Sequence, residues 1–280
     1  MDWYRSRREI ARAIHLDLTN HQARLCPTSS RLPLAHQQSL NATQVQLSQV
    51  VEKTPQRAVE RYRRNNDWRL FPKEWIYHEF PPSGRSWLDF GCGSGEITTQ
   101  LAILGATEVV GVDVTPGLLE MARRRAKLDG VSDRIRLICG DIRSIEPQPV
   151  DIVLSFAVLH HLPDHLQEAI PALCRWLKRG GTFISVEPVG YLCWLEWLRR
   201  YSGIPQDHLD PGERKLSELD LAYIERCFAF SKREHFNCFG RLSRIFPRAD
   251  RWFRATDRFF FRLPGTNRLA GTVIQVCHLD

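Results

Sequence analysis

The chain has 280 residues, and 39 Lys or Arg against 32 Asp or Glu leave a formal net charge of +7. Its 43% hydrophobic and 25% charged residues are typical of an ordinary globular protein. We find no run of about 18 apolar residues, so no transmembrane segment is predicted.

The eight cysteines show no C-x-x-C pair, and the first thirty residues contain no apolar signal segment. We therefore expect a reducing, cytoplasmic compartment. The positive charge would suit nucleic acid or an anionic membrane surface. Because the arginines are scattered over predicted helix faces, we expect no nucleic-acid partner. Peripheral contact with a membrane or lipid is kept as an alternative.

Residues 1–55 form a poorly specified N-terminal extension, and residues 56–280 are predicted to form one domain. In residues 57–80 aromatic side chains recur at roughly helical intervals until Pro81 and Pro82 stop the pattern. This helical segment precedes the first strand, and Trp75 is a candidate substrate-binding residue within it. The alternative is that these aromatic side chains are simply core.

Residues 86–98 read S-W-L-D-F-G-C-G-S-G-E-I-T, an apolar run followed by three alternate glycines and an amphipathic stretch. A strand, a tight turn and a helix start are predicted, because glycine permits φ > 0 and lets a ligand approach the backbone. The following helix directs its free N–H groups at such a ligand. Glu96 stands where the dinucleotide-binding motif has its third glycine, and Asp89 suits a positively charged ligand.

The motif L-D-F-G-C-G-S-G resembles the nucleotide loop of class I S-adenosylmethionine (SAM)-dependent methyltransferases. Strand two, Glu108–Val112, is followed by Asp113, 20 residues after Gly93, where an acid holds the ribose diol in such folds. Strand three, Ile135–Cys139, is followed by Gly140-Asp141-Ile142, which resembles the adenine site of that family. Without the resemblance, Asp141 would be interpreted as a turn or helix-capping residue.

Strand four, Val150–Phe156, is followed by A-V-L-H-H-L-P-D, which resembles the ubiquinone/menaquinone-biosynthesis type of methyltransferase. Its histidines lack metal-site spacing, and no metal is predicted. A helix is predicted over Leu166–Leu177, with Lys178-Arg179-Gly180-Gly181 as its cationic, glycine-terminated end. Strand five, Thr182–Val186, ends in Glu187-Pro188.

Residues 189–216 are predicted to form a lid insertion, with Tyr191, Trp194 and Trp197 as substrate-binding candidates; the alternative is a helix that only caps the core. A helix over Ser217–Phe230 begins with a weak capping box. Strand six covers about Lys232–Asn237, and the last strand is Gly271–Cys277.

The alternation predicts an α/β, doubly wound sheet. The resemblance implies a Rossmann-like seven-stranded sheet of order 3-2-1-4-5-7-6, with the last strand antiparallel, and SAM as cofactor. The predicted cofactor-binding residues follow the ends of the first four strands: Asp89, Gly91, Cys92, Gly93, Gly95, Asp113, Val114, Gly140, Asp141, Ile142, Ser155 and Phe156. The catalytic candidates are His160, His161 and Glu187, with His160 favoured as base.

The predicted function is transfer of a methyl group from SAM to a small, hydrophobic or aromatic acceptor by in-line displacement, with oxygen favoured over carbon or nitrogen. The first alternative is a nucleic-acid or protein methyltransferase. The second is a SAM-binding module without catalytic activity. The sequence predicts no oligomeric state.

Overall fold

A computed structural model describes residues 70–192, 214–240, 242 and 246–280. The predicted N-terminal extension and most of the predicted lid, with Trp194 and Trp197, lie outside the described residues. The helices are α1 (Leu70–Glu79), α2 (Glu96–Ile103), α3 (Pro116–Leu128), α4 (Leu166–Cys174), α5 (Glu218–Arg226) and α6 (Asp250–Phe260). The strands are β1 (Ser86–Phe90), β2 (Glu108–Asp113), β3 (Ile135–Cys139), β4 (Val150–Phe156), β5 (Leu177–Pro188), β6 (Phe230–Phe236) and β7 (Thr272–His278).

The seven strands form one sheet of order β3-β2-β1-β4-β5-β7-β6, which confirms the predicted fold. Strands β1 to β5 are mutually parallel, whereas β7 runs antiparallel to both β5 and β6. The carboxyl ends of β1 to β6 therefore meet at one edge, which we call the carboxyl edge. In open α/β sheets this edge is where ligands bind.

The two faces of the sheet contact separate apolar cores, which explains the nearly continuous apolar strands. One core contains Trp87, Leu154 and Ile184 together with residues of α1 and α2. The other contains Leu88, Val153 and Phe183 together with residues of α4 and α5. Alternate residues of each central strand are thus buried on opposite faces, as strand geometry requires.

The predicted boundary between α4 and β5 is wrong. Helix α4 ends at Cys174, and β5 begins at Leu177, so the K-R-G-G segment lies within the strand. Trp176 is fully buried, and its carbonyl accepts a hydrogen bond of 2.7 Å from the Val150 N–H. Pairing with β4 therefore starts before the glycines, and Gly180, with φ of 70°, lies where the register shifts.

Local signals at two helix starts are confirmed. Pro116 is the first residue of α3, where its missing N–H costs nothing. Ser217 and Asp220 form a reciprocal capping box at α5: the Ser217 N–H donates to Asp220 Oδ2 at 2.7 Å, and the Asp220 N–H donates to Ser217 Oγ at 3.3 Å.

A buried carboxylate fixes α6 at the carboxyl edge. Asp257 accepts hydrogen bonds from the N–H groups of Asn237, Phe239 and Gly240, at 3.1, 2.7 and 3.0 Å. These residues directly follow β6, so the carboxylate replaces the strand partners that their N–H groups have lost. Burial raises the pKa of Asp257 to about 6.

Helix α6 is also linked to α1, since Arg254 Nη1 lies 3.3 Å from Glu74 Oε2. Within the described ranges, none of the helices combines the length and apolar character needed to span a bilayer.

Candidate cofactor and acceptor site

The glycine turn after β1 has the left-handed backbone that its glycines predict. Gly91, Gly93 and Gly95 have φ angles of 69°, 53° and 77°. The N–H groups of Gly91 and Cys92 donate to the Val112 carbonyl at 2.8 and 3.0 Å, which holds the turn against β2. Residues with a Cβ rarely adopt such angles, so the turn depends on glycine.

Asp113, at the end of β2, connects the glycine turn to the next loop. Its Oδ2 accepts from the Gly93 N–H at 2.9 Å, and its Oδ1 accepts from the Thr115 N–H at 2.8 Å. Burial raises the pKa of Asp113, although both hydrogen bonds act in the opposite direction. Its neighbour Val114 lies in the same half-buried bend.

Asp89 lies beneath the turn and is 2% exposed. Its Oδ2 accepts a hydrogen bond of 2.6 Å from Thr98 Oγ1. Burial raises the pKa of Asp89 to about 6, because a desolvated carboxylate loses its hydration. Asp89 therefore contributes negative charge inside the fold rather than at its surface.

Lys73 of α1, 4% exposed, is a site residue that the sequence interpretation missed. Its Nζ lies 5.3 Å from the centroid of the Phe156 ring, and its charge interacts with that of Asp89. Burial lowers the pKa of Lys73 to about 7. Its spacing from Ile76 and Tyr77, three and four residues on, was the available signal, because those positions share one helix face.

Asp141, predicted at the adenine subsite, contacts Arg143. The Arg143 N–H and Nε both donate to Asp141 Oδ1 at 2.9 Å. This guanidinium lowers the pKa of Asp141. The Gly140 N–H donates to the Asp113 carbonyl at 3.0 Å, and the apolar side chain of Ile142 is buried in the core. An adenine amino group would share the carboxylate with Arg143.

Glu187, at the end of β5, organises the loop after β4. Its Oε1 accepts from the N–H groups of Val158 and Leu159 at 3.0 and 2.8 Å. Its Oε2 lies 2.8 Å from His160 Nδ1 and 3.3 Å from the His160 backbone N. The Glu187 residue is 0% exposed and His160 is 5% exposed, so this pair is buried.

The remaining predicted residues of this loop lie around that pair. The His161 ring lies beside His160, with centroids 4.1 Å apart and planes tilted by 34°, and its interaction with Asp113 lowers the pKa of that carboxyl. Ser155 is fully buried at the end of β4, while Phe156 is half-buried beside Lys73. The following residue, Ala157, has a φ of 57°, a left-handed conformation that is uncommon for alanine.

Trp75 and Tyr191, both predicted to bind the acceptor, lie on opposite faces of the sheet. The Trp75 ring contacts the Phe80 and Phe236 rings edge to face, with centroids 6.3 Å apart in each pair. The Tyr191 hydroxyl lies 3.5 Å from His235 Nε2 on the other face. The structure therefore does not bring these two side chains into one pocket.

Among the residues that the structure describes, no group of three or more His, Cys, Asp or Glu side chains is arranged to hold a metal ion.

The sheet order, the antiparallel β7 and the glycine turn after β1 define the fold of class I SAM-dependent methyltransferases. Residues 88–181 match the profile of a family described as a methyltransferase domain. Residues 88–181 are therefore similar to a methyltransferase domain, and the described residues have the class I SAM-dependent methyltransferase fold.

Among curated proteins, the chain is similar to the ribosomal protein L11 methyltransferase of Photobacterium profundum. The two are 34% identical over 98 residues, which cover 35% of this chain and 32% of that protein. The chain thus spans about a third of the length of the curated relatives it matches.

Solved structures share the fold at low identity. The cyclase SpnF aligns with a TM-score of 0.53 and 19% identity, over 75% of this chain and 81% of its own. Magnesium protoporphyrin IX methyltransferase from Synechocystis PCC 6803, solved with bound SAH, aligns with a TM-score of 0.50 and 16% identity, over 74% of this chain and 80% of its own.

SAM is the cofactor of this domain class, and the described residues fit it. A Cβ added at Gly93 would meet no atom within 4 Å, so the turn has an open side through which a ligand can approach. Asp113 places a carboxylate at the next strand end, and Asp89 supplies buried negative charge that suits a cationic cofactor.

Two alanine substitutions in the turn should have different effects. In Gly95→Ala the new Cβ would lie 2.6 Å from Ala122 Cβ, so we expect a loss of about 2–4 kcal/mol in unfolding free energy from strain and overpacking. Gly93→Ala adds only backbone strain, about 1–2 kcal/mol, but fills the open side of the turn.

Urea denaturation and SAM titration calorimetry test both variants. We expect Gly93→Ala to bind SAM at least about ten-fold more weakly, a cost of about 1.4 kcal/mol. Equal stability of the two variants would contradict this interpretation.

Because Lys73 is buried, the free energy of unfolding should depend on pH in the alkaline range. Its pKa is about 7 in the folded protein, against 10.5 for an ordinary lysine, so between these values only the unfolded chain binds the proton. Stability should therefore rise with pH across this window, by about 1.4 kcal/mol per unit from this residue. Denaturation of wild type and Lys73→Met from pH 7 to 10 measures the difference, with the exposed Lys127→Met as control. Parallel curves for wild type and Lys73→Met would contradict a lowered pKa of the buried Lys73 amine.

Proposed function

We propose that this protein transfers the methyl group of SAM to a small, hydrophobic or aromatic acceptor. The observation that carries the proposal is the link between Gly93 and Asp113. One carboxylate holds the open glycine turn, and we propose that the same carboxylate binds the ribose hydroxyls of the cofactor. The match of residues 88–181 to a methyltransferase domain supports the same reaction. We further propose that residues 56–280 act as one domain.

Bound SAM supplies a methyl group that its sulfonium already makes electrophilic, so the protein needs no covalent nucleophile. The protein's task is to bind the acceptor in line and to exclude water. Such positioning can supply about 7–11 kcal/mol of barrier reduction. Buried Asp89 and the half-buried ring of Phe156 supply charge and an apolar wall beside the glycine turn.

A hydroxyl acceptor also requires a base, and we propose His160 for this role, with Glu187 as its positioning residue. Glu187 is unsuited to act as base itself, because its oxygens already accept bonds from three backbone N–H groups and face His160 Nδ1. A buried carboxylate on Nδ1 orients the imidazole and leaves Nε2 as the base. We propose that His161, whose ring lies against His160, shields this pair.

The preference for an apolar acceptor rests on two groups of aromatic side chains, one on each face of the sheet. Trp75, Phe80 and Phe236 form one cluster beside α1, and Tyr191 and Phe261 contact His235 on the other face. Because the two groups lie on different faces, we propose that the Trp75 cluster, which shares its face with Lys73 and Phe156, contacts the acceptor.

Methylation of a protein is the second candidate, and the curated relatives favour it. They are named ribosomal protein L11 methyltransferases, but the similarity covers about a third of their length. Chemistry other than methyl transfer is also compatible with the fold alone, since a cyclase shares it.

The proposal predicts both cofactor binding and turnover. Purified protein should bind SAM in calorimetry and should transfer radiolabelled methyl groups to members of a panel of aromatic and prenylated small molecules. Asp113→Ala should weaken SAM binding about ten- to a hundred-fold, since hydrogen bonds to a charged group contribute about 1.5–3 kcal/mol.

The exposed Asp133→Ala, at the opposite edge of the sheet, is the matched control and should bind SAM normally. Ribosomal protein L11 and total RNA serve as competing acceptors in the same assay. Labelling of L11 alone would replace the small-molecule assignment, whereas SAM binding without any product would indicate a binding module. Undiminished SAM binding by Asp113→Ala would remove the assigned cofactor site.

The role of His160 predicts a separation of kcat from cofactor affinity. With a hydroxyl acceptor, His160→Gln should reduce kcat about 10²- to 10⁴-fold, as expected for loss of a general base. Its SAM affinity should stay close to that of wild type. A kcat that rises with pH in wild type and becomes flat in the variant would identify the base. An unchanged pH profile in His160→Gln would assign the histidine a structural role only.

A further inference from the structure

One stretch after β6 exposes several large apolar side chains. Phe246, Trp252, Phe259 and Leu263 have exposed fractions of 58%, 77%, 68% and 47%. Trp252 and Phe259 lie seven residues apart on α6 and so share one face of the helix. Leu263 follows four residues later, in the turn that continues the helix, and Phe246 precedes it. Large apolar side chains exposed together on one helix face are typical of an interaction site.

The opposite face of α6 is attached to the fold, which keeps the apolar face directed outward. Asp257 binds the loop after β6 through three backbone N–H groups. Phe260 packs edge to face on Phe239 with ring centroids 5.2 Å apart. Arg254 contacts Glu74 of α1. Turning Trp252 and Phe259 inward would require all three contacts to break.

Arginines flank the apolar stripe. Residues 246–268 contain 6 Arg and 2 Asp, a net charge of 6 − 2 = +4. One of the two acids is the buried Asp257, which is satisfied internally. Arg248, Arg258 and Arg262 are exposed. A helix with an apolar face, Trp at that face and arginines beside it has the composition of helices that lie in the membrane interface.

We propose that this surface, Phe246, Trp252, Phe259 and Leu263 with Arg248, Arg258 and Arg262, docks onto anionic lipid bilayers. We call it the α6 surface. The apolar side chains would enter the boundary of the acyl chains while the guanidinium groups bind lipid phosphates. An acidic protein groove would satisfy the arginines, but the pairing of a flat apolar stripe with one cationic flank favours a planar lipid surface.

The position of the α6 surface gives it a role in the reaction. Helix α6 follows β6 and therefore lies at the same carboxyl edge as the glycine turn and the Trp75 cluster. Docking would place that edge against the bilayer, where a lipid-soluble acceptor is dissolved. This second step, and only this step, rests on the proposed function.

Vesicle co-sedimentation of the full-length protein tests the docking without any methyl transfer. We expect binding to vesicles of phosphatidylcholine and phosphatidylglycerol in a 3:1 ratio, and at least ten-fold weaker binding to pure phosphatidylcholine. Arg258→Gln with Arg262→Gln should weaken binding to the anionic vesicles about five-fold for each arginine. Trp252→Ala with Phe259→Ala should weaken it at least ten-fold and should remove the shift of tryptophan fluorescence on binding.

Matched controls lie at the opposite edge of the sheet. Leu128→Ala with Phe230→Ala removes side chains that are 87% and 60% exposed. Arg179→Gln with Arg226→Gln removes two exposed arginines. All four double variants should keep wild-type SAM binding, which shows that they fold and keeps this test separate from that of the reaction.

Equal vesicle binding by wild type and both α6 variants would overturn the proposal. A lack of wild-type binding to anionic vesicles would also overturn the proposal. A shift of wild type, but not of the Trp252 and Phe259 variant, toward a dimer in vesicle-free sedimentation velocity would instead assign the surface to a second copy of this chain.

Discussion

The hydrogen bond between the Gly93 N–H and Asp113 Oδ2, 2.9 Å long, is the constraint on which the site depends. It joins the turn after β1 to the end of β2, so two loops that are 20 residues apart in sequence move as one unit. Because Gly93 has φ of 53° and open space beside it, the same backbone that binds the carboxylate remains accessible to a ligand. A side chain at that position would remove this access.

Charge inside the pocket is balanced rather than uniformly negative. Asp89 is buried next to Lys73, and buried Arg125 lies 3.8 Å from Glu96 at the start of α2. A cationic cofactor therefore enters a region that already contains two cations and two anions. Burial shifts Asp89 and Lys73 toward their neutral forms, with pKa values of about 6 and about 7.

Most of the fold could be predicted because strand and glycine signals are local. The sheet order came from the family resemblance and is confirmed, whereas the end of α4 was wrong. There the K-R-G-G segment has the composition of a helix end, but pairing of β5 with β4 determines the structure. The hydrogen-bond partners of Glu187 and Asp141 could not be predicted from the sequence either, because they depend on how separate loops meet in the fold. Lys73 was overlooked because a lysine on an aromatic helix is ordinarily exposed.

The carboxylate of Glu187 has a consequence for how this site can change during evolution. It accepts from the N–H groups of three consecutive residues, 158–160, and contacts His160 Nδ1, so the β4 loop is shaped around a residue from another strand. A mutation of Glu187 alone would leave these buried donors without an acceptor. The loop, in contrast, contacts the acid mainly through backbone N–H groups, which every residue except proline has. Residues 158 and 159 can therefore change during evolution while Glu187 is kept, provided that neither becomes proline.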